Sequence, residues 1–553
     1  MTALFLLAPT VCLIAADPAS VEVRASVPGG GRAVLRLQFR RGLLIEAKPL
    51  PRTFLLRKVH GWAVFEDLSA EGKRWVLESL FPEDQWSRDE VIHKVRWPEL
   101  ESVWLMASLF MAHGQNYDKL ERANPNNPEK LNSGDLWRIP QKLLSPELGG
   151  SGTPPVHNQP EDDLDDDAKI AAYRALLTFD EDMEGKFAAY RLRKGEALYS
   201  SVVIRYTDRV DAKEVNAFAD EIARRSGIDD VRSIQPGTLI KIPAKALSAP
   251  FQPEGTVALK ADQEMREEVR RTRRVDAGPK LGGLRIVLDA GHGGIDRGAA
   301  ANGIWESDFV YDISCRVKQI LEEDTEAQVS STIRYPGIGF KLRDDIPSPS
   351  KAAHLLTTPP FAIDGDNPNA VSVHLRWVLA NDLFSTFLRK GDAQKTLFIS
   401  FHADSLHPSA RGTMVYVPGA SFVPSRFSLG ANRGAGVREM KKGSHVSFSS
   451  REKLEGEARS RLFGEALVKA LRQSKILVHP NRAIRNVIHR DGKNFIPAVI
   501  RYNEARTKVL IEVANLTNED DAANLQDAEF RQRYAEAVVK GIRAYFKKRS
   551  ENK

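Results

Sequence analysis

The stretch from Leu284 to Glu306, LRIVLDAGHGGIDRGAAANGIWE, constrains the chain more than any other. Arg285 to Asp289 is a short, mostly aliphatic run that ends on a carboxylate, the pattern of a buried strand. Gly291, Gly293, Gly294, Gly298 and Gly303 follow, so the backbone can turn where a larger residue could not. His292 stands at the mouth of that strand and Glu306 opens the next helix. A Gly-rich loop thus brings an imidazole and a carboxylate together, a pair able to bind a metal. Two other readings stay open on these residues alone. One is a tight strand-to-helix turn with a hydrogen-bonded surface His. The other is a phosphate loop, against which stand the absence of GxxxxGK[ST] and of GxGxxG spacing.

Two further strands strengthen the metal reading. Thr396 to Phe401 (TLFISF) is apolar and is followed by His402-Ala403-Asp404. Val509 to Val513 (VLIEV) carries Glu512 inside an otherwise apolar run. A lone Glu in a buried strand is costly unless it is paired or chemically employed. Two His and two Glu therefore fall at or near strand ends, where open α/β sheets place their sites.

In order, DAGHGGIDRGA, the Glu of GIWES, SFHADS followed by ARGTMVYV, and VLIEVANLTNEDDA resemble the motifs of the zinc-dependent N-acetylmuramoyl-L-alanine amidases. The resemblance runs from about Leu284 to Phe546. It implies cleavage of peptidoglycan between the muramic acid lactyl group and L-alanine. It also implies zinc ligands at His292, Glu306 and His402, with Glu512 as the catalytic carboxylate. Zinc in a catalytic site keeps three protein ligands and a water, and two His with one Glu is an established set. Asp289, Asp296 and Asp404 are candidates for orienting the His ligands. Arg411 and Asn518 fall in family-like motifs, while His407, His445 and His489 lie outside them and read as surface residues. Two other functions would use such a chain: a glycan-binding scaffold that keeps the fold without turnover, and a zinc carboxypeptidase or deacetylase with a different pocket.

The rest of the 553 residues reads as a series of smaller parts. Residues 1–19 have an apolar core and small residues near Ala15, Ala16 and Ala19, as in a signal peptide, although a positive leading segment is missing. Residues 20–90 alternate in polarity and predict a small β-rich region. Two stretches, 91–145 and 187–247, close on LWRIP and LIKIP and suggest an internal repeat. Both resemble the LysM module, a βααβ unit that binds N-acetylglucosamine-containing glycans. The first lacks the usual Gly-Asp-Thr after its opening strand, and the second has Gly-Glu-Ala there. Residues 146–169 form an acidic, Gly- and Pro-rich linker, and 248–283 a charged linker with helical potential.

From 284 to 548, strands alternate with helices. The pattern predicts an α/β sandwich around a mostly parallel sheet. Phe309, Ile313, Val317 and Ile320 recur at helical spacing, as do Phe530, Tyr534, Val538 and Ile542. Further helices are expected over 375–387 and from about 458. Two segments, 335–369 and 418–455, are long for plain loops. In the resembled amidases an inserted segment can carry a helix that blocks the zinc until a protein activator removes it.

A net charge of +7 suits an anionic partner such as the cell wall. Scattered Lys and Arg and the lack of a recognition motif argue against nucleic acid. No stretch reaches the length of a confident membrane span, so stable membrane insertion is not expected. Two cysteines, Cys12 and Cys315, build neither a disulfide framework nor a CxxC site. The expected setting is periplasmic or extracellular.

Overall fold

A computed structural model describes residues 81–96, 103–111, 117–125, 131–151, 166–193, 196–231, 234–301, 304–346, 350–364, 369–430 and 436–547, with six N-terminal strands and a few single residues besides. The candidate signal peptide lies outside the described residues apart from Val11–Cys12, as does most of the acidic linker. The chain forms two compact units, Met1–Pro160 and Glu161–Lys553. Among the described residues no helix is long and apolar enough to cross a membrane.

In the first unit, Ser20–Val27, Gly31–Arg40 and Leu43–Leu50 pair antiparallel. A separate small fold follows. Strand β1 (Glu90–Lys94), helices α1 (Val103–Phe110) and α2 (Tyr117–Ala123), and strand β2 (Leu136–Pro140) succeed one another. Strands β1 and β2 pair antiparallel. Its core is its own: Val91, Phe110, Leu120, Trp137 and Ile139 pack together.

The first described element of the second unit is a short helix, Asp166–Arg174, and a second small fold follows it. Strands β3 (Thr178–Asp182) and β4 (Gly185–Arg191) form a hairpin. Helix α3 (Ala212–Ser226) follows, capped by Asp211, and strand β5 (Leu239–Pro243) pairs with β4. The charged stretch after it contains a helix over Val257–Arg271.

The large sheet comes next. Its elements are β6 (Arg285–Ala290), α4 (Glu306–Asp324), β7 (Gln328–Ser331), α5 (Asn369–Arg389), β8 (Thr396–Asp404) and β9 (Met414–Tyr416). They continue with α6 (Ser450–Gln473), β10 (Ile484–Arg485), the hairpin β11 (Ile488–Arg490) and β12 (Lys493–Phe495), β13 (Thr507–Asn515) and α7 (Ala528–Tyr545). The six-stranded order is β7-β6-β8-β13-β9-β10. The first four strands run parallel, β9 runs antiparallel to β13, and β10 parallels β9.

Side chains alternate across a strand, and both faces of this sheet are covered. Ile286, Leu288, Ile399, Phe401 and Ile511 face α4, α6 and α7 through Ile313, Phe463, Leu467 and Val538. Val287, Phe398 and Leu510 face the other way. They share a core with Trp377, Val378 and Phe384 of α5 and with Tyr206, Val210 and Phe251 of the preceding small fold. The 166–251 region is therefore packed into the same core as the sheet.

Helix α6 starts at Ser450, earlier than the apolar spacing predicts. The reason is a capping box: the Ser449 side chain accepts from Glu452 N while the Glu452 carboxylate accepts from Ser449 N. That polar first turn has no apolar stripe to reveal it. The long 418–455 segment contains a two-stranded ribbon, Arg426–Ser428 with His445–Ser447.

Candidate metal centre

Strand β6 delivers the chain to Gly291, whose amide donates to Phe401 O at 2.8 Å. A Cβ on Gly291 would clash with three atoms of the His402 ring. Gly298 has φ +68°, and a Cβ there would meet both Glu306 Oε2 and the His292 ring. These two glycines let the loop lie directly against the side chains it presents.

His292, Glu306 and His402 each contribute one donor atom to a cluster in which all three atoms lie within 4.8 Å of one another. Glu306 anchors it. Its Oε1 accepts from Ala403 N at 3.0 Å and lies 2.9 Å from His402 Nδ1. Its Oε2 accepts from Ala299 N at 2.7 Å and lies 3.4 Å from His292 Nε2. Burial would push the Glu306 carboxyl up, yet the two imidazoles hold it below the usual range. His292 moves the opposite way: burial disfavours its charged form, but Glu306 and Asp296 outweigh this and raise it. Asp296 Oδ1 is 2.9 Å from His292 Nδ1.

Glu512 sits opposite His402 in the β8–β13 register, so both side chains leave the sheet on one face. It is buried, and its Oε2 has no hydrogen-bond partner. Burial, then the neighbouring Asp404 and Glu306, push its carboxyl well above the ordinary value. Asp404 raises the Glu512 carboxyl and lies 3.5 Å from Arg490 Nη2. It thus bears on Glu512 instead of orienting an imidazole.

Asp289 also departs from expectation. Its carboxylate is engaged by Arg376 Nη1 at 2.7 Å, by Ser400 Oγ at 2.6 Å and by the Thr332 hydroxyl, not by either His. It ties α5, β8 and the residue that follows β7 to β6 just before the loop. Burial raises its carboxyl, but Arg376 and the two hydroxyls leave it below the usual range.

Arg411 pairs with Asp520 at 3.0 Å, and Asn518 caps the helix that follows β13. His407 and His489 are not loose surface residues. His407 is buried and stacks on Tyr199, and His489 Nε2 lies 3.3 Å from Glu214. Both face the 166–251 fold, whose docking no local pattern announces. Sequence reasoning also missed Arg376 and Arg490, which lie outside every motif and become meaningful only through the acids they meet.

Residues 286–342 and 361–544 match the family model for N-acetylmuramoyl-L-alanine amidase. The C-terminal half is similar to that family. An uncharacterized Bacillus subtilis (strain 168) protein, YqiI, is 26% identical over 270 residues, which span 49% of this chain and 88% of that protein. An endolysin of Bacillus phage SPP1 is 58% identical over 59 residues, or 11% of this chain and 21% of the endolysin. Among solved structures, the N-acetylmuramyl-L-alanine amidase Ami1 from Mycobacterium smegmatis is 19% identical with a TM-score of 0.30, covering 48% of this chain and 98% of that one. The cluster described above falls inside the amidase-like region.

Proposed function

We propose that the amidase-like half hydrolyses the amide bond between N-acetylmuramic acid and L-alanine in peptidoglycan. His292, Glu306 and His402 would hold a zinc ion, and Glu512 is the general base. The observation that carries this reading is the pairing of a compact two-His, one-Glu donor set with a buried carboxylate oxygen left without a partner. The close approach of Gly291 and Gly298 to the ligand side chains fits the same purpose, since it leaves those side chains fixed before any ion arrives.

When bound, zinc supplies a Lewis acid that polarises the scissile carbonyl and activates water near neutral pH. The chain does the rest. Glu306, held by two backbone amides, keeps its carboxylate in place between the imidazoles. Asp296 sets the orientation of His292 from the far side of its ring. Glu512 accepts the water proton and returns it to the nitrogen of L-alanine as the C–N bond breaks. The products are a free lactyl carboxylate on the muramic acid and a peptide stem with a free L-alanine amine. The two small βααβ-like regions would hold the glycan strand, and the protein would act outside the cytoplasmic membrane, where that polymer lies.

The test is zymography on purified peptidoglycan with product analysis, run with and without a chelator. Release of peptide stems that stops on chelation supports the amidase. Binding without release indicates a scaffold, and cleavage elsewhere in the stem or at an acetyl group indicates another zinc hydrolase.

A further inference from the structure

We propose that Arg490 is a positioning residue of the hydrolytic site, and that the 166–251 fold holds it there through Asp211. The proposal rests on the amidase reading and extends it to a part of the chain outside the amidase-like region.

The geometry begins at the tip of the β11–β12 hairpin. Asp491 has φ +50° and Gly492 φ +67°. Two consecutive left-handed residues make the tight turn whose twist matches paired strands. This turn fixes Arg490, the last residue of β11, against its neighbours. Arg490 Nη2 lies 3.5 Å from Asp404 Oδ1, and Arg490 Nε lies 3.8 Å from Asp211 Oδ2. The guanidinium therefore stands between two carboxylates, one beside Glu512 and one on the small fold.

Asp211 is itself immobilised. Its Oδ1 accepts from Lys213 N at 3.0 Å and Glu214 N at 3.3 Å, closing the first turn of α3. The next carboxylate on that helix grips the same hairpin. Glu214 Oε1 accepts from Gly492 N at 3.0 Å, and its Oε2 lies 3.3 Å from His489 Nε2. Further contacts brace the contact edge: His407 N donates to Val210 O at 2.9 Å, and Arg482 pairs with Asp208 at 2.7 Å. The start of α3 thus seats on the segments that leave β8 and lead into β13, the strands that bear His402 and Glu512.

The chain of contacts runs from Asp211 through Arg490 and Asp404 to Glu512. Both contacts are charge pairs longer than a hydrogen bond, and Arg490 Nε, buried without a hydrogen-bond partner, faces Asp211 through charge alone. Asp404 in turn acts on Glu512, whose Oε2 is buried without a hydrogen-bond partner.

The experiment is a double-mutant cycle in the full-length chain. Arg490→Gln should lower kcat by about 10- to 100-fold with KM nearly unchanged, the range seen when groups behind a reactive site are lost. Asp211→Asn keeps the helix cap, because Asn caps as well as Asp, and removes only the charge. It should lower kcat in the same direction by a smaller factor. The double variant should be no slower than Arg490→Gln alone, and Arg490→Lys should recover part of the loss. Asp208→Asn, which loosens the docking edge away from Arg490, should leave kcat unchanged. Bound zinc should stay at the wild-type stoichiometry throughout. The thermal midpoints should show the same coupling between Asp211 and Arg490, a readout independent of turnover. Wild-type kcat in both single variants, or additive midpoints, overturns the proposal. A wild-type chain that binds zinc and cleaves nothing overturns the amidase reading instead, and the midpoint cycle still decides the Asp211–Arg490 link.

Discussion

Helix α4 carries three buried carboxylates, Glu306, Asp308 and Asp312, that meet two different fates. Glu306, in its first turn, meets two imidazoles and lies near a second pair of acids, Asp404 and Glu512. Asp312, less than two turns on, meets arginines. Its Oδ2 accepts from Arg316 Nε at 2.8 Å and Arg531 Nε at 2.7 Å, and its Oδ1 accepts from Arg343 N at 2.8 Å. Asp308 is likewise held by Arg343 and Ser350. Around Asp312 every charge has a fixed opposite. Around Glu306 acids outnumber the cations that face them, and Glu512 keeps an oxygen without a partner. A buried acid is thus a sign of function only where its countercharge has been left incomplete.

Four experiments would break or sharpen that contrast. Glu512→Gln has the largest expected effect. Turnover should fall by about 10²- to 10⁴-fold, the usual loss for a general base. The thermal midpoint should hold or rise, because the amide removes an acid buried among other acids. Unchanged kcat with a falling midpoint would make Glu512 structural and erase the distinction from Asp312.

Arg531→Ala tests the other region. It removes one of the two guanidinium groups that pair with Asp312 and leaves the backbone carbonyls of Leu525 and Gln526 without that donor. Urea unfolding should show a loss of about 3–5 kcal/mol, typical of breaking a buried ion pair. The surviving folded fraction should keep its kcat.

Zinc gives the third comparison. A ligand at 100 times its Kd stabilises the folded state by about 2.7 kcal/mol. Added zinc should raise the midpoint of the wild-type chain accordingly and fail to do so in His402→Ala. An equal rise in both would place the ion elsewhere.

Asp521 offers the smallest and most graded test. It is buried, and Gly412 N and Asn515 N donate to it at 2.7 and 3.0 Å. Burial raises its carboxyl to about 6 from the model-compound 3.8, against the pull of Arg411. The folded state therefore holds this proton more tightly than the unfolded chain does. The stability it brings is complete below about pH 4 and is lost as pH rises through 6. Wild type should lose on the order of 2 kcal/mol relative to Asp521→Asn across that interval. A difference that grows in the opposite sense would show Asp521 to be stabilised as a carboxylate.

The amino-acid pattern alone determined the sheet and the identities of the clustered residues. Apolar runs ending at His402 and enclosing Glu512, and glycines beside His292, are local signals set by burial and turn geometry. The helical repeat from Phe309 onward places Glu306 in a first turn. Asp404 carried no such mark: whether it faced an imidazole or another carboxylate depends on a bulge after His402 that shifts the β8–β13 register. Only the tertiary structure decided which charges cancel, that Arg376 locks Asp289, and that the second small fold merges its core with the sheet while the first keeps its own. The reason is physical. Strand and turn preferences arise from neighbours along the chain, whereas pairing of buried charges and docking of folds depend on groups far apart in the chain, whose mutual distance no local periodicity encodes.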